Sequence, residues 1–202
     1  ADCKVIATGE KHGTLTVVKN GTFIEITTFR TEKAYSDSRH PDGVTFVTSL
    51  EEDLKRRDFT INAMAYSPEK GLIDIFGGLD DIKNKIIRTV GEPKERFGED
   101  ALRILRAVRF EAQTGFDIEE NTKRAMLETK GLLQKVSVER IFSELTKILT
   151  APYAAKALFN EREIIFEVLP EIAPEDGFEQ KSLSHLYTVY EHTVKAVENG
   201  KG

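Results

Sequence analysis

The residue pattern changes once along this chain, at the sequence Gly91-Glu92-Pro93. Before that point, Thr, Val, Ile and Gly occur in short runs in which apolar and polar residues alternate, which is the two-residue period of a β-strand. After it, apolar residues recur at the spacing of amphipathic helices. We therefore predict an α+β fold in which a strand-rich amino-terminal part precedes an all-helical part.

Strand signals come early in the chain. Residues 12–18 and 22–29 alternate and carry β-branched side chains, and Asn20-Gly21 between them favours a tight hairpin turn. Residues 43–47 predict a third strand. The polar residues 30–43 before it predict a long loop, a kind of segment that often carries function.

Capping signals and apolar spacing predict the helices. Ser49 followed by Glu52, and Asp117 followed by Glu120, have the spacing of capping boxes, and Gly115 suits the end of a helix. The predicted segments are helices over 49–57, 62–65, 98–115 and 137–149, a helix starting at 117, and a strand over 71–78 that ends at a glycine pair.

Composition favours a soluble globular protein. The chain has 202 residues, of which 40% are hydrophobic and 31% charged, and no apolar run approaches the roughly 18 residues that span a bilayer. No secretory signal is visible, and the single Cys3 forms no internal disulfide, so we expect a cytoplasmic protein without membrane contact. The net charge of −5 disfavours a uniformly basic nucleic-acid binder, although residues 55–57 are a local cationic cluster.

Two groups of polar residues precede the helical part. Glu25 shares a predicted strand face with Phe23, Thr27 and Phe29, so it either faces water or binds a metal such as magnesium, which prefers oxygen ligands. In the second group, Arg57, Asp58 and Asn62 form either a salt-bridged helix junction or a ligand site. In such a site arginine would bind phosphate while Asp and Asn bind hydroxyl groups.

A third group lies on one predicted helix, where Asp100 is followed by arginines at every third position, 103, 106 and 109. Asp100 and Arg103 are one turn apart and could simply pair with each other. Alternatively, a carboxylate that accepts from an exocyclic amine and an arginine that donates to ring nitrogens and carbonyl oxygens would match the edge of cytosine or adenine.

Four segments in this order resemble one family, the bacterial tRNA nucleotidyltransferases that add CCA and the related poly(A) polymerases. They are EDLKRRDFTINAMAY (52–66), DIFGGLDDI (74–82), RFGEDALRILRAVRF (96–110) and SVERIFSEL (137–145). The resemblance implies a polymerase-β-like nucleotidyltransferase head over 1–92, incomplete at its amino end, a helical neck over 93–150, and the start of a body or tail over 151–202. Residues 185–193, HLYTVYEHT, resemble the start of an HD-type domain.

The same resemblance assigns roles to individual residues. Arg57, Asp58 and Asn62 match the motif that holds ribose and triphosphate, and Asp100 and Arg103 match the pair that recognises CTP or ATP. The other matched positions are Arg106 and Arg109 near the nucleotide, Glu25 as an acidic catalytic position, and a flexible loop over 30–41 that includes Arg30, Asp37, Ser38 and Arg39.

The implied reaction is template-independent addition of CCA to a tRNA from CTP and ATP, with two Mg²⁺ ions. The family's Asp-x-Asp pair, which holds those metals, does not occur in this sequence, so the metal ligands are unknown. Two other readings stay open. One is a bacterial poly(A) polymerase, and the other is an inactive nucleotide- or RNA-binding module.

Overall fold

The computed structural model describes residues 3–6, 14–32, 44–46, 49–178 and 187–200. The chain divides into two compact units, Ala1–Arg57 and Asp58–Gly202. The head, neck and body boundaries implied by the family resemblance stay predictions.

The described residues of the first unit form two small antiparallel sheets and one helix. Strands β1 (Lys4–Ile6), β2 (Thr14–Lys19) and β3 (Thr22–Thr27) form a sheet in that order. Asn20 and Gly21 both have positive φ, at 51° and 78°, so the predicted tight hairpin turn is confirmed. The predicted third strand is also confirmed, because β5 (Val44–Phe46) pairs with β4 (Arg30–Glu32). The loop predicted over 30–43 is wrong at its start, since this pairing makes Arg30–Glu32 a strand.

Helix α1 (Leu50–Lys55) completes the first unit. The Ser49 hydroxyl accepts from the backbone N–H of Glu52 at 3.4 Å, so the predicted cap at Ser49 is confirmed. Three acidic residues occupy the first turn and Lys55 the last, an arrangement that complements the helix dipole.

The second unit opens with a short 3-10 turn (Thr60–Asn62), then the hairpin of β6 (Met64–Ser67) and β7 (Gly71–Asp74), then α2 (Gly78–Asn84). The predicted helix over 62–65 is therefore wrong. Pairing of β6 with β7 supplies backbone hydrogen bonds that a four-residue helix would not. The predicted strand over 71–78 is too long, because Asp74 accepts from the N–H groups of Gly78 and Leu79 and thereby starts α2.

The helical part follows as predicted, with corrected bounds. Its helices are α3 (Pro93–Glu99), α4 (Leu102–Thr114), α5 (Glu120–Thr129), α6 (Val138–Leu149), α7 (Ala154–Asn160), α8 (Arg162–Val168) and α9 (Val189–Asn199). Turns of 3-10 type over Lys130–Lys135 and Pro170–Glu175 connect some of them, and β8 (Ile86–Ile87) pairs in parallel with β9 (Asp117–Ile118).

Two helix bounds differ from the sequence prediction. The helix expected over 98–115 is interrupted, because Asp100 has the extended backbone conformation that ends α3 before α4 begins. Gly115 caps α4 with φ 72°, as predicted. The cap predicted at Asp117 is wrong: Asp117 lies in β9, and Glu119 caps α5 by accepting from the N–H of Thr122 at 2.8 Å.

Helix α4 lies at the centre of the second unit and packs against α6 and α7. Its Ile104, Leu105 and Val108 are completely buried. Burial of each such side chain is worth roughly 1.5–3 kcal/mol. Because the same helix carries three of the predicted site arginines, this packing fixes the direction in which they point.

Candidate nucleotide-binding site

The predicted site residues of the second unit lie on two segments, the 3-10 turn after Asp58 and the start of α4. The turn is fixed at its first residue, Thr60. The N–H of Thr60 donates to the carbonyl of Arg88 at 2.9 Å, and the Thr60 hydroxyl donates to buried Asp81 at 2.7 Å. Gly78 fits against this turn only because it lacks a side chain: a Cβ there would lie 2.2 Å from the Thr60 carbonyl oxygen.

The buried carboxylate of Asp58 accepts four hydrogen bonds. Oδ1 accepts from the N–H of Phe59 at 2.9 Å and from Nδ2 of Asn62 at 3.2 Å. Oδ2 accepts from Nε and Nη2 of Arg106 at 2.8 and 2.5 Å. A carboxylate offers about four acceptor positions, so the described chain already uses all of them.

Asp100, at the junction of α3 and α4, accepts two hydrogen bonds. Oδ1 accepts from the N–H of Leu102 at 3.1 Å, and Oδ2 accepts from Nη2 of Arg140 at 2.7 Å. Arg140 lies on α6, so this pair joins two helices. Among the described contacts, about two of the four acceptor positions of Asp100 are left for a ligand.

Arg103 lies one turn after Asp100, and its N–H donates to the Asp100 carbonyl at 3.0 Å. Its Nη1 donates to Oε2 of Glu99 and to the carbonyl of Arg96. Oε1 of Glu99 lies 2.9 Å from Nη2 of Arg96. The side chain of Arg103 is only 10% exposed, and its contact with Glu99 fixes the direction of the guanidinium.

Arg106 and Arg109 point to different partners. Arg106 contacts Asp58, whereas Nε of Arg109 lies 3.0 Å from Oε2 of buried Glu144 on α6. The Arg109 guanidinium also lies 4.4 Å from the centre of the Phe110 ring. Burial lowers the pKa of Arg109 from its ordinary value, and the neighbouring Glu144 carboxylate counteracts that shift.

The structure therefore brings Asp58, Asn62 and Arg106 into one hydrogen-bonded group. It places Asp100 and Arg103 next to each other at the start of α4. Arg109 is directed between α4 and α6.

The remaining predicted site residues belong to the first unit. Glu25 is exposed on β3, opposite Thr16 of β2. Arg30 lies in β4, and Nη2 of Arg57 is 3.3 Å from Oδ2 of Asp53. The loop residues Asp37, Ser38 and Arg39 lie outside the described residues. The roles of all these residues stay predictions.

No group of three or more His, Cys, Asp or Glu side chains that could hold a metal ion occurs among the described residues. Glu25 is therefore not part of such a group among the described residues. The described residues therefore do not fit a metal centre.

Sequence reasoning missed three charged residues that orient the site, namely Glu99, Arg140 and Glu144. Each lies in a segment that the family resemblance covers, yet it gave them no role. Glu144 is 4% exposed. A charged residue at a buried position of an amphipathic helix is the signal that could have identified it, because a buried charge needs a partner.

A cavity of about 510 Å³ lies elsewhere in the second unit, lined in part by Arg88, Lys94, Glu119 and Arg124. None of the predicted site residues lines it. Two of its cations already have carboxylate partners, Lys94 with Glu128 and Arg88 with Glu119. The contacts around Asp58 and Asp100 are therefore the stronger candidate site.

Two family models match the chain. The model described as "Poly A polymerase head domain" matches residues 2–88, and the model described as "Probable RNA and SrmB-binding site of polymerase A" matches residues 115–175. The two matches together include most of the described chain.

Curated relatives and solved structures agree with these models. A CCA-adding enzyme of Geobacillus sp. (strain WCH70) is 56% identical over 155 residues, which is 77% of this chain and 38% of the relative. A CCA-adding enzyme of Pediococcus pentosaceus is 47% identical over 97% of this chain and 48% of the relative. The chain thus spans less than half the length of these relatives.

Among solved structures, the Bacillus stearothermophilus CCA-adding enzyme in complex with CTP matches with a TM-score of 0.70 and 50% identity, over 77% of this chain and 37% of that one. The Thermotoga maritima CCA-adding enzyme in complex with tRNA matches with a TM-score of 0.65 and 34% identity, over 85% and 38%. The predicted fold class is confirmed, with a nucleotidyltransferase head of mixed strands and helices. The chain belongs to the family of nucleotidyltransferases that includes the poly(A) polymerases and the CCA-adding enzymes.

Proposed function

We propose that this chain carries the nucleotide-recognition part of a CCA-adding enzyme, which extends the 3′ end of a tRNA with CTP and ATP without a nucleic-acid template. One observation supports this most directly. Asp100 keeps about two acceptor positions beside Arg103, while Arg140 and Glu99 fix the direction of these two side chains.

Base recognition would follow from the chemistry of this pair. Cytosine and adenine both present an exocyclic amine that donates, next to a ring nitrogen that accepts. Asp100 would accept from the amine, and Arg103 would donate to the ring nitrogen or to the cytosine carbonyl. Uracil and guanine present a carbonyl oxygen in place of the amine, and a carboxylate repels it.

Sugar recognition would involve Asp58 and Asn62. Because Asp58 uses all its acceptor positions in the described chain, a ribose hydroxyl would replace one of the two Arg106 N–H donors on Oδ2. The Arg106 side chain is 34% exposed, so its guanidinium could turn towards a phosphate in the same step.

In the complete enzyme, the 3′-hydroxyl of the tRNA would attack the α-phosphate of the bound nucleotide, and pyrophosphate would leave. Nucleotidyltransferases generally use a divalent metal ion, and we propose Mg²⁺. The partners would be tRNA, CTP and ATP. No helix in the described part of the chain is long and apolar enough to cross a membrane. A cytoplasmic location is part of the proposal.

The test has two readouts. The first is equilibrium binding of CTP, ATP, UTP and GTP to this chain, for which we expect a preference for CTP and ATP. The second is incorporation of labelled CTP and ATP into a tRNA that lacks CCA, with a tRNA that already ends in CCA as control. Equal binding of all four nucleotides would overturn the proposal.

The incorporation of CTP and ATP distinguishes a CCA-adding enzyme from the alternative functions. Addition of CTP would exclude a poly(A) polymerase. Selective binding without product would indicate a nucleotide-binding module whose catalytic strand is not in this chain.

A further inference from the structure

Phe110 lies at the meeting point of the groups that hold Asp58. Its ring contacts the ring of Phe59 edge-to-face, with centroids 5.6 Å apart and an interplanar angle of 81°. The Arg106 guanidinium lies 5.8 Å from the centroid of the same ring. Phe59 directly follows Asp58 in the chain and is completely buried. One side chain therefore contacts both the core residue that fixes the Asp58 backbone and the cation that binds its carboxylate.

The Phe110 ring is itself held from another side. The Arg109 guanidinium lies 4.4 Å from the ring centroid, and Glu144 of α6 anchors Arg109 at 3.0 Å. Both cations are within the roughly 6 Å at which a guanidinium is attracted to an aromatic face. The ring is thereby fixed between the buried pair Arg109–Glu144 and the Asp58 segment.

The Arg106 side chain needs a contact, such as that with the Phe110 ring, to hold it in one conformation. An arginine side chain has many rotamers, and fixing it in one of them costs conformational entropy. Arg106 is partly exposed, and within the described chain it contacts Asp58 and Phe110. Nη1 of Arg106 faces away from Asp58 and has no hydrogen-bond partner in the described chain. It can therefore donate a hydrogen bond to an acceptor on a ligand. The contact with the Phe110 ring restricts the position of that nitrogen.

We propose that Phe110 is a positioning residue for the Asp58–Arg106 pair and, through that pair, for the nucleotide sugar. The effect of Phe110 on the Asp58–Arg106 pair follows from the contacts alone. Its effect on the sugar rests on the proposed function, because it requires that a nucleotide binds with its ribose at Asp58. We expect base recognition at Asp100 and Arg103 not to depend on the Phe110 ring.

Three variants test the proposal. Phe110→Leu keeps an apolar side chain but removes the ring, and Phe110→Tyr keeps the ring. Phe116→Leu removes a different, partly buried ring that packs against the same core. It is the matched control, since no described contact joins Phe116 to Arg106 or Asp58.

The first experiment is a double-mutant cycle in urea unfolding with Phe110→Leu and Arg106→Gln. We expect the effect of Phe110→Leu on the unfolding constant to differ roughly three- to fivefold between the wild-type chain and the Arg106→Gln variant. Phe116→Leu should show the same effect in both backgrounds. Additive effects of Phe110→Leu and Arg106→Gln would overturn the positioning role.

The second experiment compares the affinities of CTP, dCTP and UTP. We expect Phe110→Leu to reduce the preference for CTP over dCTP roughly three- to tenfold and to leave the preference for CTP over UTP unchanged. Phe110→Tyr and Phe116→Leu should keep both preferences. An equal loss of both preferences would indicate a general structural role and contradict the proposal, as would no change in either.

The two experiments separate the two hypotheses. If the wild-type chain binds no CTP, the proposed function fails, and the unfolding cycle still decides whether Phe110 positions Arg106. If CTP binds selectively and the cycle shows no coupling, the positioning role fails while the proposed function stands.

Discussion

Oδ2 of Asp100 accepts a hydrogen bond from Nη2 of Arg140 at 2.7 Å, although the two residues are 40 positions apart in the sequence. This contact joins the start of α4 to α6 and fixes one oxygen of the carboxylate that we assign to base recognition. The Asp58 carboxylate, by contrast, has all its acceptor positions filled by the described chain. The two aspartates are therefore suited to different tasks.

The first prediction concerns base selectivity. Asp100→Ala removes the acceptor for the exocyclic amine, so the preference for CTP and ATP over UTP and GTP should fall by about tenfold, which is within the range for loss of one base-edge contact. Competition binding of the four nucleotides measures it. Asp117→Ala, which removes an exposed carboxylate paired with Lys156, is the control. Unchanged selectivity in Asp100→Ala would contradict the assignment.

The second prediction concerns Arg140. Arg140→Gln removes the charge that fixes Asp100, so CTP affinity should fall by roughly three- to tenfold, as expected for loss of a half-buried, charge-assisted hydrogen bond. Titration calorimetry with CTP measures the change. The control is Arg124→Gln on α5, since Arg124 donates to the Asn121 side chain. An Arg140 variant that binds CTP like the wild type would show that Asp100 needs no such support.

The third prediction concerns the turn that carries Asn62. In Gly78→Ala the new Cβ would lie 2.2 Å from the Thr60 carbonyl oxygen, so backbone must move. We expect a loss of roughly 1–3 kcal/mol in the free energy of unfolding, typical of overpacking. Gly98→Ala in α3 meets nothing within 4 Å and should be neutral or stabilising by up to about 1 kcal/mol. Equal stability of the two variants, measured by urea unfolding, would be evidence against this close packing.

The fourth prediction concerns pH. Burial raises the pKa of Glu111 to about 7 from its ordinary 4.5, although a hydrogen bond from Asn160 opposes the shift. Its Oε2 is buried without a described hydrogen-bond partner, which suits a protonated carboxyl. Burial also raises the pKa of Glu161, against the opposing effect of Lys123.

Because the folded-state pKa of Glu111 is raised, the folded protein holds this proton more tightly than the unfolded chain does. The stability from this group is fully present below about pH 4.5 and is lost as the pH rises through about 7. The loss amounts to at most about 3 kcal/mol. Glu111→Gln should flatten that part of the stability curve, and Glu120→Gln, an exposed control, should not. A curve unchanged by Glu111→Gln would refute the shift.

Local signals in the sequence predicted the parts of the fold that local chemistry decides. The Asn20-Gly21 turn, the Ser49 cap and the Gly115 cap each depend on neighbouring residues, and the structure confirms them. The helix predicted over 62–65 is wrong because Met64 and Ala65 pair with Asp74 and Ile73 of β7, and no local signal in the sequence indicates that pairing.

The same distinction between local and tertiary contacts applies to the candidate site. The sequence placed Asp100 and Arg103 together because they are one turn apart. It gave no indication that Arg106 binds Asp58, 48 positions away, or that Arg109 turns to Glu144 on α6. Tertiary packing determines the direction of each arginine in this evenly spaced row. No local signal in the sequence encodes that direction.

The most direct test of base recognition changes the ligand and the protein together. CTP is compared with its analogue that lacks the 4-amino group, in binding to the wild-type chain and to Asp100→Ala. We predict that the wild type binds CTP about tenfold more tightly than the analogue, since the amine donates to Asp100. Asp100→Ala should bind both equally. An equal preference for CTP in both proteins would contradict the account, because Asp100 would then not contact the amine.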